Sequence, residues 1–179
     1  MKKKMWISVV AIALVLCCAL GGTLAWLSDK TDSVVNTFTV GDINITLTES
    51  DNLNLKMVPG NTITKDPKVT VKSDSEACWL FVKVEKSANF DDFMTYEMAD
   101  GWTALTGADG VYYREVAASA ADTSFDVLKG NRVTVKDAVT KEQLQAVKTA
   151  NQPTLTFTAY AVQRDNIDDE AAAWAEVNP

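Results

Sequence analysis

The side chains that could do chemistry in this chain are carboxylates and a thiol. Twenty-four Asp and Glu stand against 17 Lys and Arg, and there is no histidine. The acids gather at Asp91-Asp92, at Asp122 with Asp126, and at Asp165, Asp168, Asp169 and Glu170. Grouped carboxylates could bind calcium through hard oxygen ligands or work as a catalytic acid pair. The Asp165–Glu170 stretch lacks the alternating oxygen ligands and central glycine of a calcium loop, so it reads as surface charge and helix-start acids. The lack of histidine removes the commonest general base, the commonest zinc ligand and the third member of most Ser or Cys triads. No phosphate-binding glycine loop, nucleophile elbow, Cys-x-x-Cys pair or zinc-protease helix motif occurs. Two of the three cysteines, Cys17 and Cys18, lie in an N-terminal apolar run. The third, Cys78, adjoins Trp79 at the start of a hydrophobic segment and reads as a buried thiol. The sequence therefore predicts a non-enzyme, with no catalytic residue, no cofactor and no metal site.

The elements that would carry these residues are mostly strands. Thr37–Thr48 alternates with Phe38 and Val40 on one parity and Ile43, Ile45 and Leu47 on the other, with a bulge at Gly41-Asp42 keeping one face inward. Pro59-Gly60 predicts a turn, and Thr62–Val71 offers Ile63, Val69 and Val71, with Pro67 at an edge or a strand start. Ala77–Glu85 is the densest segment: Leu80, Val82 and Val84 face a core, and Trp79 and Phe81 face the other way, as expected of a central or covered strand. Gly110–Val116 and Ser124–Leu128 follow, and Lys129-Gly130-Asn131 turns into Arg132–Val135. Thr154–Gln163 alternates Leu155, Phe157, Ala159 and Ala161 against Thr154, Thr156, Thr158 and Tyr160. Two helices are predicted. Thr140 and Gln143 form a capping box for Lys141–Ala150, with Leu144 and Val147 as its apolar stripe. Asp168 starts Asp169–Glu176, in which Ala171, Trp174 and Ala175 pack down. The fold class is all-β: a two-sheet β-sandwich, jelly-roll or immunoglobulin-like, with short helical inserts.

The N-terminus predicts export. Lys2–Lys4 precede an apolar run over Met5–Leu20, Gly21-Gly22 breaks it, and Thr23 and Ala25 supply the small residues a signal peptidase accepts, making Trp26 the first mature residue. The run is about 16 residues, short of the roughly 20 that span a bilayer, so a retained anchor is disfavoured. A lipid anchor at Cys17 or Cys18 is disfavoured by the bulky Leu16. Domain boundaries follow: 1–25 signal peptide, 26–36 N-terminal segment, 37–179 β-sandwich domain. Losing Lys2–Lys4 leaves 14 basic against 24 acidic residues. So acidic a protein repels nucleic acid, and membrane contact is expected only through the precursor signal. With only Cys78 left there is no intramolecular disulfide, and no Leu-Pro-x-Thr-Gly motif predicts a covalent wall anchor.

The junction Gly21-Gly22-Thr23-Leu24-Ala25-Trp26-Leu27-Ser28-Asp29, followed by Asn36-Thr37-Phe38-Thr39-Val40-Gly41-Asp42-Ile43, resembles the TasA/camelysin family of Gram-positive bacteria. Pro59-Gly60 with Thr64-Lys65-Asp66 is similar to that family's Pro-Gly-x-x-x-x-Lys turn. The resemblance implies cleavage by a SipW-type signal peptidase, location outside the cell in the matrix or at the surface, and a β-sandwich that polymerises into biofilm-matrix fibres with copies of itself or a related matrix protein. It further implies that Trp26–Asn36, with Trp26, Leu27, Val34 and Val35, adds as a strand to the next subunit by β-augmentation. The rival expectations are a monomeric surface module using Trp102, Tyr112 and Tyr113 on a carbohydrate or protein ligand, and an extracellular metallo-endopeptidase.

Overall fold

The structure, a computed structural model, describes residues 42–50, 56–147 and 151–178, all within the compact unit that runs from Val40 to Pro179. Its strands are β1 (Ile45–Thr48), β2 (Thr62–Thr64), β3 (Lys68–Val71), β4 (Cys78–Lys86), β5 (Met94–Thr95), β6 (Thr103–Ala104), β7 (Val111–Val116), β8 (Thr123–Asp126), β9 (Arg132–Val135) and β10 (Leu155–Gln163). Three short helices are α1 (Phe90–Phe93), α2 (Lys141–Ala146) and α3 (Glu170–Val177).

The strands form three antiparallel sheets, ordered β1-β3-β8, β10-β4-β7-β6 and β2-β9-β5. The fold is all-β and sandwich-like, with the third, small sheet closing one end. The dense apolar run becomes β4, which lies between β10 and β7 and is buried on both faces. Leu80, Val82 and Val84 meet Val69, Val71, Val116 and Val127 between the first two sheets. Trp79 and Phe81 point the other way, where α3 covers them: Trp174 lies 5.3 Å from the Phe81 ring and edge-on to Tyr160 at 5.2 Å. The second cluster, Ile63, Phe90, Met94, Leu128, Val133 and Val135, joins the main core through Leu155 and Phe157, which pack on both.

Local chemistry explains most boundaries. Pro67 cannot donate to a ladder, and there the chain leaves β2 and enters β3 in a different sheet. Gly60 holds φ +76° in the turn closed by Asn61 N–H on the Val58 carbonyl, a conformation side chains with a Cβ resist. Gly130 (φ 62°) and Asn131 (φ 51°) make the tight turn into β9.

Three expectations are corrected. Leu47 is 36 % exposed although it lies opposite the buried Val69, because β1 is an edge strand with no neighbour on its outer side among the described residues, while Ile43 and Ile45 do pack. In α3 the buried residues are Ala173 and Trp174, and Ala171 and Ala175 face solvent. The helix is capped by Asp169, which accepts the Ala172 N–H at 2.8 Å, one residue later than the expected start at Asp168. The Thr140–Gln143 capping box forms as expected, but the helix it starts ends at Ala146, and Val147 is extended. Residues 148–150, and Thr37–Gly41 of the first expected strand, lie outside the described residues.

Candidate functional site

A groove of about 560 Å³ lies where the third sheet meets the start of β10. Its floor is the second apolar cluster: Ile63 from β2, Phe90 from α1, Met94 from β5 and Val133 from β9, all buried. Its walls are the outer edge of β2 and residues Pro153–Thr156 leading into β10. Both strands are sheet edges among the described residues, β2 bonding only to β9 and β10 only to β4. Lys65 N–H reaches the Asn131 carbonyl and Val135 N–H the Asn61 carbonyl, so the odd residues of β2 engage β9 and the backbone of Thr62 and Thr64 faces outward. On β10, bonds from Ser87 N–H to the Thr154 carbonyl and from Arg164 N–H to the Ala77 carbonyl place the even residues on β4, leaving the backbone of Leu155 and Phe157 outward. An apolar floor between two outward-facing backbone edges has the chemistry that receives an extended chain.

One charged side chain lines the groove. Lys65, just past β2, pairs with Glu49 at 2.8 Å and lies 5.5 Å from the Phe157 ring on β10. Its neighbour Asp66 accepts from Ser50 N–H (3.1 Å) and Ser50 hydroxyl (2.5 Å), and these bonds hold its carboxyl below the ordinary 3.8. The two contacts tie the stretch after β1 to the turn between β2 and β3.

The groove sits at one pole of the fold. Leu155 opens β10 opposite Lys86, and Gln163 ends it opposite Cys78, so the nine-residue strand spans roughly 26 Å at about 3.3 Å per residue. At the far pole the described chain begins, with the Asp42 carbonyl accepting the Glu76 N–H at 3.1 Å.

The opposite flank of the sandwich is closed. There the Arg114 guanidinium of β7 stacks 3.8 Å over the Phe125 ring of β8 and 5.3 Å from Trp102. Trp102 Nε1 donates to the Asp126 carbonyl at 2.9 Å, and Ala99 N–H and Lys129 N–H reach across to Val127 and Glu97. Burial lowers the pKa of Arg114 below that of an ordinary guanidinium. The aromatics expected of a ligand-binding face are thereby engaged: Trp102 in this stack, Tyr112 against the main core, and Tyr113 against Trp79 at 5.9 Å.

The carboxylates that drew notice in the sequence are not brought together. The Asp91 carboxylate pairs with Lys86, while its backbone carbonyl accepts from Lys136; Asp122 pairs with Lys72 and Asp126 with Lys68, each salt-bridged to its own lysine near an end of β3. Asp169 serves as the cap of α3. Among the described residues no three of His, Cys, Asp and Glu converge on one point. Cys78 is fully buried, and burial pushes its thiol up to about 11, so it is neither a ready nucleophile nor a ready ligand. Thr23, Ala25, Trp26, Leu27, Val34 and Val35 lie outside the described residues. The groove itself was not foreseen; the only sequence signal near it is the Pro59-Gly60 to Lys65-Asp66 turn.

No curated protein matches the chain, and no solved structure does. A family described as camelysin metallo-endopeptidase matches residues 1–92. That span is half of the 179-residue chain and takes in the strand, turn and lysine that build one wall of the groove, and the chain belongs to the camelysin (TasA/camelysin) family.

Proposed function

We propose that this is a secreted structural protein, a subunit or accessory of extracellular matrix fibres, assembled when the N-terminal segment 26–36 of one copy adds as a strand to another. In this reading residues 1–25 are a signal peptide removed after Ala25 by a SipW-type peptidase, residues 37–179 are the sandwich domain, and the partner is a copy of the chain or a related matrix protein. The observation that carries it is the groove: an apolar floor flanked by two strands that are sheet edges among the described residues, at the pole opposite the one where the described residues begin. A donor leaving one pole and an acceptor at the other make a head-to-tail contact that does not close on itself, which yields filaments rather than rings.

The family's description also names a metal-dependent peptidase. The residues present do not fit that metal. Zinc peptidase sites are built from imidazole and carboxylate with an open coordination position. This chain has no histidine, and its described acids are dispersed into ion pairs and a helix cap. We therefore read this member as a non-enzyme. Cleavage of a peptide substrate by purified protein, abolished by chelator, would overturn that reading.

The decisive experiment compares a chain starting at Trp26 with one starting at Thr37, both followed by electron microscopy and light scattering over days. Filaments from the longer chain alone are the expected result. Stable monomers from both would remove the assembly reading and leave a surface binding module as its successor.

A further inference from the structure

We propose that Lys65 is the polar anchor of the groove and sets the register of the incoming strand by binding Asp29 of a second copy, with Glu49 as its placeholder beforehand. The inference rests on the strand-acceptor reading and adds to it a specific partner side chain and a competitor.

Among the described residues Lys65 is the only charged one lining the groove, and its side chain is 16 % exposed. Its ammonium reaches from the end of β2 to the ring of Phe157 on β10, so the charge lies across the mouth through which a strand would enter. A lysine held in so apolar a place needs an acid, and Glu49 supplies it with contacts of 2.8 and 3.0 Å. Glu49 stands just past the end of β1, with its side chain 33 % exposed, and an ion pair with one partner this open exchanges readily. An ammonium carries three donors, enough for a second carboxylate to share the lysine before the first departs.

The segment 26–36 offers two faces to such a groove. As an added strand, one parity would present Leu27, Asp29, Thr31, Ser33 and Val35, and the other Trp26, Ser28, Lys30, Asp32, Val34 and Asn36. The first carries a single charge, an acid. The second carries Lys30 and Asp32 two residues apart, so setting its acid on Lys65 would also carry a lysine onto the apolar floor beside it. Charge complementarity selects the first face and places Asp29 on Lys65, and a one-residue slip would reverse that match.

The two members of one ion pair then have opposite effects on assembly. The test measures the critical concentration for filament formation by chains starting at Trp26, with circular dichroism confirming that each variant is folded. Lys65→Met keeps the alkyl stem and is expected to raise the critical concentration about tenfold, as loss of a partly buried interfacial charge does. Glu49→Gln frees the lysine and is expected to lower it about threefold. Lys65→Glu and Asp29→Lys should each block assembly, and the double variant should restore it, whereas Asp32→Lys should not rescue Lys65→Glu. If Lys65→Met and Glu49→Gln both weaken assembly alike, the pair is only a structural tie and the anchor is overturned, while strand acceptance stands. If the charge swap fails to rescue folded chains, the pairing with Asp29 is wrong. If the unaltered chain forms no filaments at all, the strand-acceptor reading fails and the anchor with it.

Discussion

The two flanks of this sandwich are built from similar residues and end up in opposite states. On one flank Trp102, Arg114 and Phe125 stack into a plug, and backbone bonds from Ala99 and Lys129 cross the gap. On the other, Ile63, Phe90, Met94 and Val133 form an equally apolar surface with about 560 Å³ left above it. What separates them is the chain between β5 and β6, residues 96–102, which runs past β8 and brings Trp102 to the gap. The groove flank receives no such crossing from the described residues. Apolar area alone does not say whether a surface is core or interface. The presence of a chain to cover it does.

Breaking the plug should have the largest effect. Arg114→Ala removes both cation–π contacts and the alkyl stem beneath them, and should cost about 2–3 kcal/mol of unfolding free energy in urea titration. Loss below about 0.5 kcal/mol would show that the stack is decoration and that the flank is held by its backbone bonds alone. Filling the groove sharpens the same contrast from the other side. Val133→Phe adds a ring toward empty volume, so stability should stay within about 1 kcal/mol of the parent, because overpacking strain is absent where space already exists. The same variant should abolish filaments. The smallest effect falls at the turn beside Lys65. The pKa of Asp66 is lowered by its Ser50 bonds, so its contribution to stability is present above the ordinary carboxylate value of 3.8 and is lost as pH falls below it. Asp66→Asn should therefore lower the melting temperature slightly at pH 6, with the difference shrinking as pH falls below 3.8. A difference that persists in acid would mean that the amide loses packing rather than charge.

The long apolar elements were legible because their signals are periodic. β4 and β10 each run nine residues, long enough that the face assignments of Leu80, Phe81, Phe157 and Tyr160 follow from parity. Thr140 and Gln143 announce a helix start through reciprocal side-chain bonds, a signal only four residues long. By contrast, β5 and β6 have two residues each, too few for any period to show, and α1 has four. The groove depends on those short pieces. Its floor draws on Ile63, Phe90, Met94 and Val133, residues that no local pattern connects and that only the pairing of β2 and β5 with β9 brings together. Grouped acids drew the eye in the sequence because spacing suggested ligands. In space Asp91, Asp122 and Asp126 each pair with a separate lysine, and Asp169 caps a helix.

The ladder between β1 and β3 carries a mechanical consequence. Four residue pairs, Ile45 with Val71 through Thr48 with Lys68, are extended at the far pole by bonds from Lys72 N–H to the Asn44 carbonyl and from Glu76 N–H to the Asp42 carbonyl. Tension applied to the chain at Asp42 along the strand runs parallel to this ladder. It loads every rung together in shear instead of peeling them one after another, so a thread of such units would resist stretching far better than bending.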